Sequence, residues 1–176
     1  MIPSLLVTLG LLGAPEAGAV DPAAAPPART ASNVVFAEPL GNGLLYSLNY
    51  ARVVESWHLG LRAGASYFTY AVSKYGGSGK LTIVTLPLVA SYYVPIAGSN
   101  HNVELGLGAT VLYVAASTDS EGTRYGRVGL DVAATGVVGW RYLPRDGGLT
   151  FGAGFTPLVR TTKVLPWGGL SAGYVF

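Results

Sequence analysis

The chain has 176 residues, of which 50% are apolar and 11% charged, with a formal net charge of +2 and no cysteine. Charge this sparse, against roughly 25% in an ordinary soluble domain, argues against disorder and a conventional solvated surface, and there is no basic run to follow a phosphate backbone, so nucleic-acid binding has no support. Without cysteine there is no disulfide, thiolate metal site, cysteine nucleophile or acylated anchor, and no apolar run reaches the roughly 18 to 20 residues of a membrane-crossing helix.

In chain order, Leu5 to Ala14 is a short apolar stretch, and Ala17-Gly18-Ala19 after it matches the small-x-small rule for a signal peptidase site. Residues 1–19 therefore read as an export signal cleaved after Ala19, although no Lys or Arg precedes the apolar stretch. Residues 20–33 are rich in Ala and Pro and show no periodicity. Proline denies both helix and ladder, so this segment reads as a flexible tail. Residues 34–176 form the single remaining domain.

From Val34 onward side-chain character alternates with period two, the mark of a strand. The predicted strands are 34–40, 44–54, 57–70, 80–94, 103–115, 127–142, 149–158 and 165–176. The stretch 103–115 is the clearest, with Val103, Leu105, Leu107, Ala109, Val111, Tyr113 and Ala115 alternating with Glu104, Gly106, Gly108, Thr110, Leu112 and Val114. Between the first two strands, Gly41-Asn42-Gly43 reads as the tight hairpin turn, since Asn and Gly accept positive φ. Short connections at 55–56, 95–100 and 144–148 alternate with longer, polar ones at 73–79, 117–126 and 159–164. That alternation is the pattern of an outer-membrane barrel, with short periplasmic turns and longer outer loops, and it agrees with an even strand count.

A soluble barrel turns its apolar face inward and covers the other with Lys and Glu. Here the second face is Gly, Ser, Thr and Ala with scattered charges, which suits the filling of a narrow eight-stranded barrel. The apolar phase is therefore expected to face lipid. Tyr50, Trp57, Tyr92, Trp140 and Tyr174 fall near one set of strand ends and Tyr67, Tyr113 and Trp167 near the other, which reads as two aromatic girdles. By the same phasing Arg62, Glu104, Asp131 and Arg141, together with Glu38, point into the lumen, where isolated charges are costly and are expected to pair with one another.

The ending Leu170-Ser171-Ala172-Gly173-Tyr174-Val175-Phe176, in which Tyr174 and the terminal Phe176 carry the pattern, resembles the signal by which outer-membrane barrels are handed to the barrel assembly machinery. Val35-Phe36-Ala37-Glu38-Pro39-Leu40-Gly41-Asn42-Gly43 followed by Tyr46-Ser47-Leu48-Asn49-Tyr50 resembles the first hairpin of small outer-membrane barrels. Over 34–176 the chain is similar to the eight-stranded superfamily that includes the transmembrane domain of outer-membrane protein A. The resemblance implies a structural or minor-pore role with no shared chemistry.

The expectation is thus an all-β protein, an eight-stranded antiparallel transmembrane up-and-down barrel in the cell outer membrane. It is expected to be a monomer with no enzyme activity and no cofactor, its partners being membrane lipid and the assembly machinery, and its lumen closed by a polar and ion-pair network. His58 and His101 lack metal-site spacing, so no metal is expected. Two rival readings are a soluble periplasmic barrel holding an apolar ligand and a lipid-A-modifying barrel enzyme that depends on His58.

Overall fold

The computed structural model describes residues 28–74, 77–96, 98–120, 123–161 and 163–176. The export signal and most of the Ala/Pro-rich segment lie outside the described residues. Ten ladder segments follow in chain order: β1 (Asn33–Pro39), β2 (Tyr46–Val54), β3 (Leu59–Lys74), β4 (Gly77–Pro95), β5 (His101–Ser120), β6 (Thr123–Tyr142), β7 (Gly148–Phe155), β8 (Leu158–Arg160), β9 (Lys163–Leu165) and β10 (Gly168–Val175). All the pairings are antiparallel, and β1 pairs with both β2 and β10, which closes the sheet on itself.

The barrel has eight strands, because β7 with β8 and β9 with β10 are two strands, each interrupted at a proline. Pro157 and Pro166 have no N–H to give the ladder. The chain nevertheless stays in register across the gaps, with the Thr156 N–H donating to the Trp167 carbonyl at 2.7 Å and the Gly136 N–H to the Pro157 carbonyl at 3.2 Å. The eight expected strands are all present.

Alternation sorts the two faces as expected. Along β5, Leu105 and Leu107 are exposed, while Glu104 and Thr110 are buried. Along β6, Val128, Leu130, Val132 and Val138 are exposed, and Ala133, Thr135, Val137 and Arg141 are buried. The inside is filled in layers. At the end where β1 begins and β10 ends the filling is apolar, with Val34, Phe36, Ala51, Val53, Tyr93, Leu143 and Val175 in one cluster. A wholly small and polar filling is therefore replaced at this end by a hydrophobic core.

The wall is uneven. β5 and β6 have 20 residues each, about 66 Å of strand, whereas a transmembrane strand needs only about 9–11 residues. β1 has 7 and β2 has 9. Two stretches expected as loops, 73–79 and 117–126, are accordingly mostly ladder. Polarity does not alternate in these stretches although backbone pairing continues, which is why they read as loops. At this loop end β2 pairs with β3 no further than Ala65, and β8 pairs with β6 only at Ala134 and Thr135. β3 and β6 each rise beyond those points with one described neighbour.

Close interstrand approach depends on Gly108, where an added Cβ would stand 2.0 Å from the Leu88 carbonyl oxygen and 2.8 Å from the Val89 Cα. Backbone has to move to admit a methyl. Gly108→Ala is expected to destabilise the barrel by about 1–3 kcal/mol, read as a lower temperature at which the compact band on unboiled gels is lost.

Candidate functional site

The turn after β1 does not lie on the surface. Gly41–Gly43 forms a single 3-10 turn whose three residues are all buried. Leu40 and Leu44 flank it at φ 62° and 72°, and Gly41 itself has φ 77°. Positive φ at these positions reverses the chain into the lumen. For a leucine that conformation costs on the order of 1–3 kcal/mol, so the turn must be held from inside.

Asn42 supplies the hold. Its Nδ2 donates to Thr135 Oγ1 and to the Gly136 carbonyl, and its Oδ1 accepts from Arg62 Nη2. Its own carbonyl accepts from Thr110 Oγ1 at 3.0 Å. The Gly43 carbonyl accepts from Ser66 Oγ and Thr85 Oγ1, both at 3.2 Å. The turn is therefore bonded to β3, β4, β5 and β6, across the barrel from its own strand. Two glycines make the room: a Cβ on Gly41 would meet the Glu38 carboxyl carbon at 2.4 Å, and one on Gly169 would meet the Gly41 Cα at 2.8 Å.

Below the turn lies a charged layer. Arg62 on β3 pairs with Glu38 on β1 at 3.2 Å, and Arg141 on β6 with Glu104 on β5 at 2.6 Å, all four side chains being almost fully buried. Ser91 Oγ donates to Glu104 at 2.7 Å, and Arg141 also reaches Ser171 Oγ at 3.4 Å. The Phe36 ring sits between the two cations, 5.7 Å from the Arg62 guanidinium carbon and 4.7 Å from that of Arg141. Each cation thus has a carboxylate and a ring face, the conditions under which buried charge is tolerated. The void beside Glu38, Glu104, Arg141 and Ser171 is about 10 Å³. That is about the least space that holds one water.

Of the five charged residues assigned to the lumen network, four meet in this layer and Asp131 does not. Asp131 pairs with Arg160 nearer the loop end, where both side chains are well exposed. Its inward phase is as expected, but it stands on the part of β6 that rises past the short strands, so water reaches it. In the sequence Asn42 reads as part of a hairpin turn and Thr110 as a position on the small or polar face of its strand, and neither they nor Phe36 and Thr135 are assigned to the network. The three on strands share the buried phase of their strands, the one signal that pointed to them.

Tyr50, Trp57, Tyr67, Tyr92, Tyr113, Trp140 and Tyr174 are all exposed on the outer surface, and so is Phe176. Trp167 differs: it is half-buried, and its indole N–H donates to the Leu44 carbonyl at 3.0 Å, which places it against the folded-in turn. His101 stacks on Trp140, whose indole donates to its Nδ1 at 3.1 Å, and His58 makes an edge contact with Tyr92. Among the described residues neither histidine is hydrogen-bonded to a carboxylate, and no three His, Asp or Glu side chains converge as metal ligands would.

Residues 28–32, the described end of the Ala/Pro-rich segment, cross the terminal opening. The Arg29 N–H donates to Glu55 Oε2 at 2.7 Å and its Nη1 to the Pro144 carbonyl at 2.9 Å, while the Thr30 and Ala31 N–H groups both donate to the Arg145 carbonyl. Glu55 also pairs with Arg145. Burial pulls the Arg29 guanidinium below its usual pKa, and Glu55 opposes that pull.

No protein-family model matches the chain, and no curated protein matches it in sequence. Solved structures do. The attachment invasion locus protein Ail of Yersinia pestis superposes with a TM-score of 0.56 at 13% identity, covering 83% of this chain and 99% of Ail. The N-terminal β-barrel domain of Pseudomonas aeruginosa OprF superposes with a TM-score of 0.54 at 14% identity, covering 82% and 96% respectively. At such identities the likeness is one of fold: the chain is an eight-stranded barrel of the kind found in outer-membrane proteins.

Proposed function

We propose that this barrel is a structural component of the outer membrane whose lumen is shut at rest, and that it conducts only when the folded-in turn is displaced. The observation that carries the reading is Asn42, fully buried and bonded to strands on the far side of the barrel. The charged layer beneath it and the apolar core at the terminal end are two further barriers in series. The protein inserts as a monomer after export, with Tyr174 and Phe176 presented to the assembly machinery and membrane lipid as its main partner. It performs no catalysis. The apolar outer surface supports a membrane over a periplasmic location, because Leu107, Leu130 and Val128 are 79%, 73% and 68% exposed. In water such a belt would drive aggregation.

Planar-bilayer recording tests the seal. The wild-type protein is expected to insert with no sustained conductance, and Asn42→Ala, which frees the turn from Arg62, Thr135 and Gly136, to show small resolved steps. A wild-type channel open most of the time, with the same current in Asn42→Ala, would end the sealed-lumen reading.

A further inference from the structure

Above the folded-in turn the lumen changes character. The inward phase of the barrel wall there carries Leu112, Ala133, Leu158 and Leu165, which with Leu44 of the turn line a recess of about 300 Å³. Lumen-facing positions near water are ordinarily polar. Here they form an apolar pocket at the lower end of the roughly 300–1,000 Å³ range of small-ligand sites. Arg160 and Lys163 stand at its rim. Arg160 is shared with Asp131, whereas among the described residues Lys163 has no ion-pair partner.

A second recess, of about 270 Å³, adjoins the first at the same two cations and is bounded by Asp131 and Val132. These neighbours on β6 point to opposite faces, Asp131 to the lumen side and Val132 to the outer apolar surface. The recess therefore straddles the wall at the edge of β6, just beyond its last pairs with β8 at Ala134 and Thr135. Apolar lining, a cationic rim and an opening toward the lipid-facing surface all suit one kind of occupant.

We propose that this cleft takes a phosphate-bearing lipid from the surrounding leaflet, with one acyl chain in the recess lined by Leu112, Leu158 and Leu165 and the phosphate at Arg160 and Lys163. The assignment rests on the membrane-embedded reading above. A lipid reaches the site sideways past the open edge of β6, without crossing the folded-in turn, so binding and a sealed lumen are compatible. A soluble ligand would gain nothing from an opening at Val132.

Trp167, bonded to the Leu44 carbonyl, reports on this region, and Trp140 on the outer belt. The test uses the full-length protein in phosphatidylcholine vesicles, as two single-tryptophan forms made with Trp→Phe changes, one keeping Trp167 and the other Trp140. Each is titrated with acyl-brominated phosphatidic acid or acyl-brominated phosphatidylcholine, since bromine quenches a tryptophan it touches. Trp167 is expected to be quenched at about fivefold lower mole fraction of the phosphatidic acid, the factor one basic residue contributes at a lipid surface. Trp140 is expected to respond to both lipids alike. Lys163→Glu, an exposed change that leaves the ladder intact, is expected to abolish the preference at Trp167. Equal quenching of Trp167 by the two lipids, or a preference that survives Lys163→Glu, overturns the site. Equal potency of an acyl-brominated free fatty acid overturns the phosphate assignment. If Trp140 responds to neither lipid, the membrane-embedded reading fails and takes this proposal with it.

Discussion

Leu107→Arg is expected to lower the unfolding free energy by roughly 2–4 kcal/mol, the cost of a cation on the lipid face near mid-membrane. Thr110→Ser, three residues along the same strand, is expected to lose no more than about 1 kcal/mol, since it removes one buried methyl and keeps the hydroxyl that donates to the Asn42 carbonyl. The contrast is diagnostic because exposure alone predicts the reverse. Leu107 is 79% exposed and Thr110 wholly buried, and in a soluble fold an exposed Leu→Arg change shifts stability by no more than about 0.5 kcal/mol. Urea titration of the protein folded into phospholipid vesicles, followed by tryptophan emission, measures both. A negligible effect of Leu107→Arg would mean that the outward face meets water, and the barrel would not be a membrane protein.

The outward face was legible in the sequence because apolar side chains recur at alternate positions in strand after strand. Leu105, Leu107 and Leu130 obey a period of two that needs no partner residue to be recognised. The charged layer was legible for a related reason: Arg62, Glu104 and Arg141 interrupt phases made mostly of small residues, whereas Glu38 follows Val34 and Phe36 on the inward phase of β1. Asp131 interrupts the same phase as Arg141, but its height on the wall decides whether water reaches it, and height depends on where β2 and β8 stop pairing. For β8 the endpoint is the reversal between Arg160 and Lys163, and for β2 it follows from the folded-in turn, which is nonlocal in effect. The turn itself has the local chemistry of a hairpin. What pulls Gly41-Asn42-Gly43 inward is the set of donors and acceptors on Arg62, Ser66, Thr85, Thr110 and Thr135, spread over four strands and assembled only when the barrel closes. Short-range pattern carries no trace of such a set. Similarly, the apolar recess at the loop end is written in Leu112, Leu158 and Leu165, which read as ordinary strand residues until their inward phase and their height on the wall are known together.

Arg62→Ala is expected to be the most damaging single change, at about 3–5 kcal/mol, because it strands the Glu38 carboxylate and Asn42 Oδ1 in a site from which water is almost excluded. The size of the loss reports a buried charge left without its partner and says little about the net worth of the pair. Replacing both partners, as Glu38→Leu with Arg62→Met, removes the charges together and refills the volume with carbon, so the part of the loss due to the stranded carboxylate is expected to return while Asn42 Oδ1 stays unpaired. The two variants separate the roles of the network. In Arg62→Ala the void beside Glu38 enlarges and the folded-in turn loses one anchor, so bilayer current is expected to rise. In the double variant the layer is apolar and filled, and current is expected to stay low even though the ion pair is gone. If the double variant conducts as Arg62→Ala does, the charges themselves hold the turn in place, and filling the lumen is not enough. Were Arg62→Ala to match the wild type in both stability and current, the buried pair would have no part in either the fold or the seal.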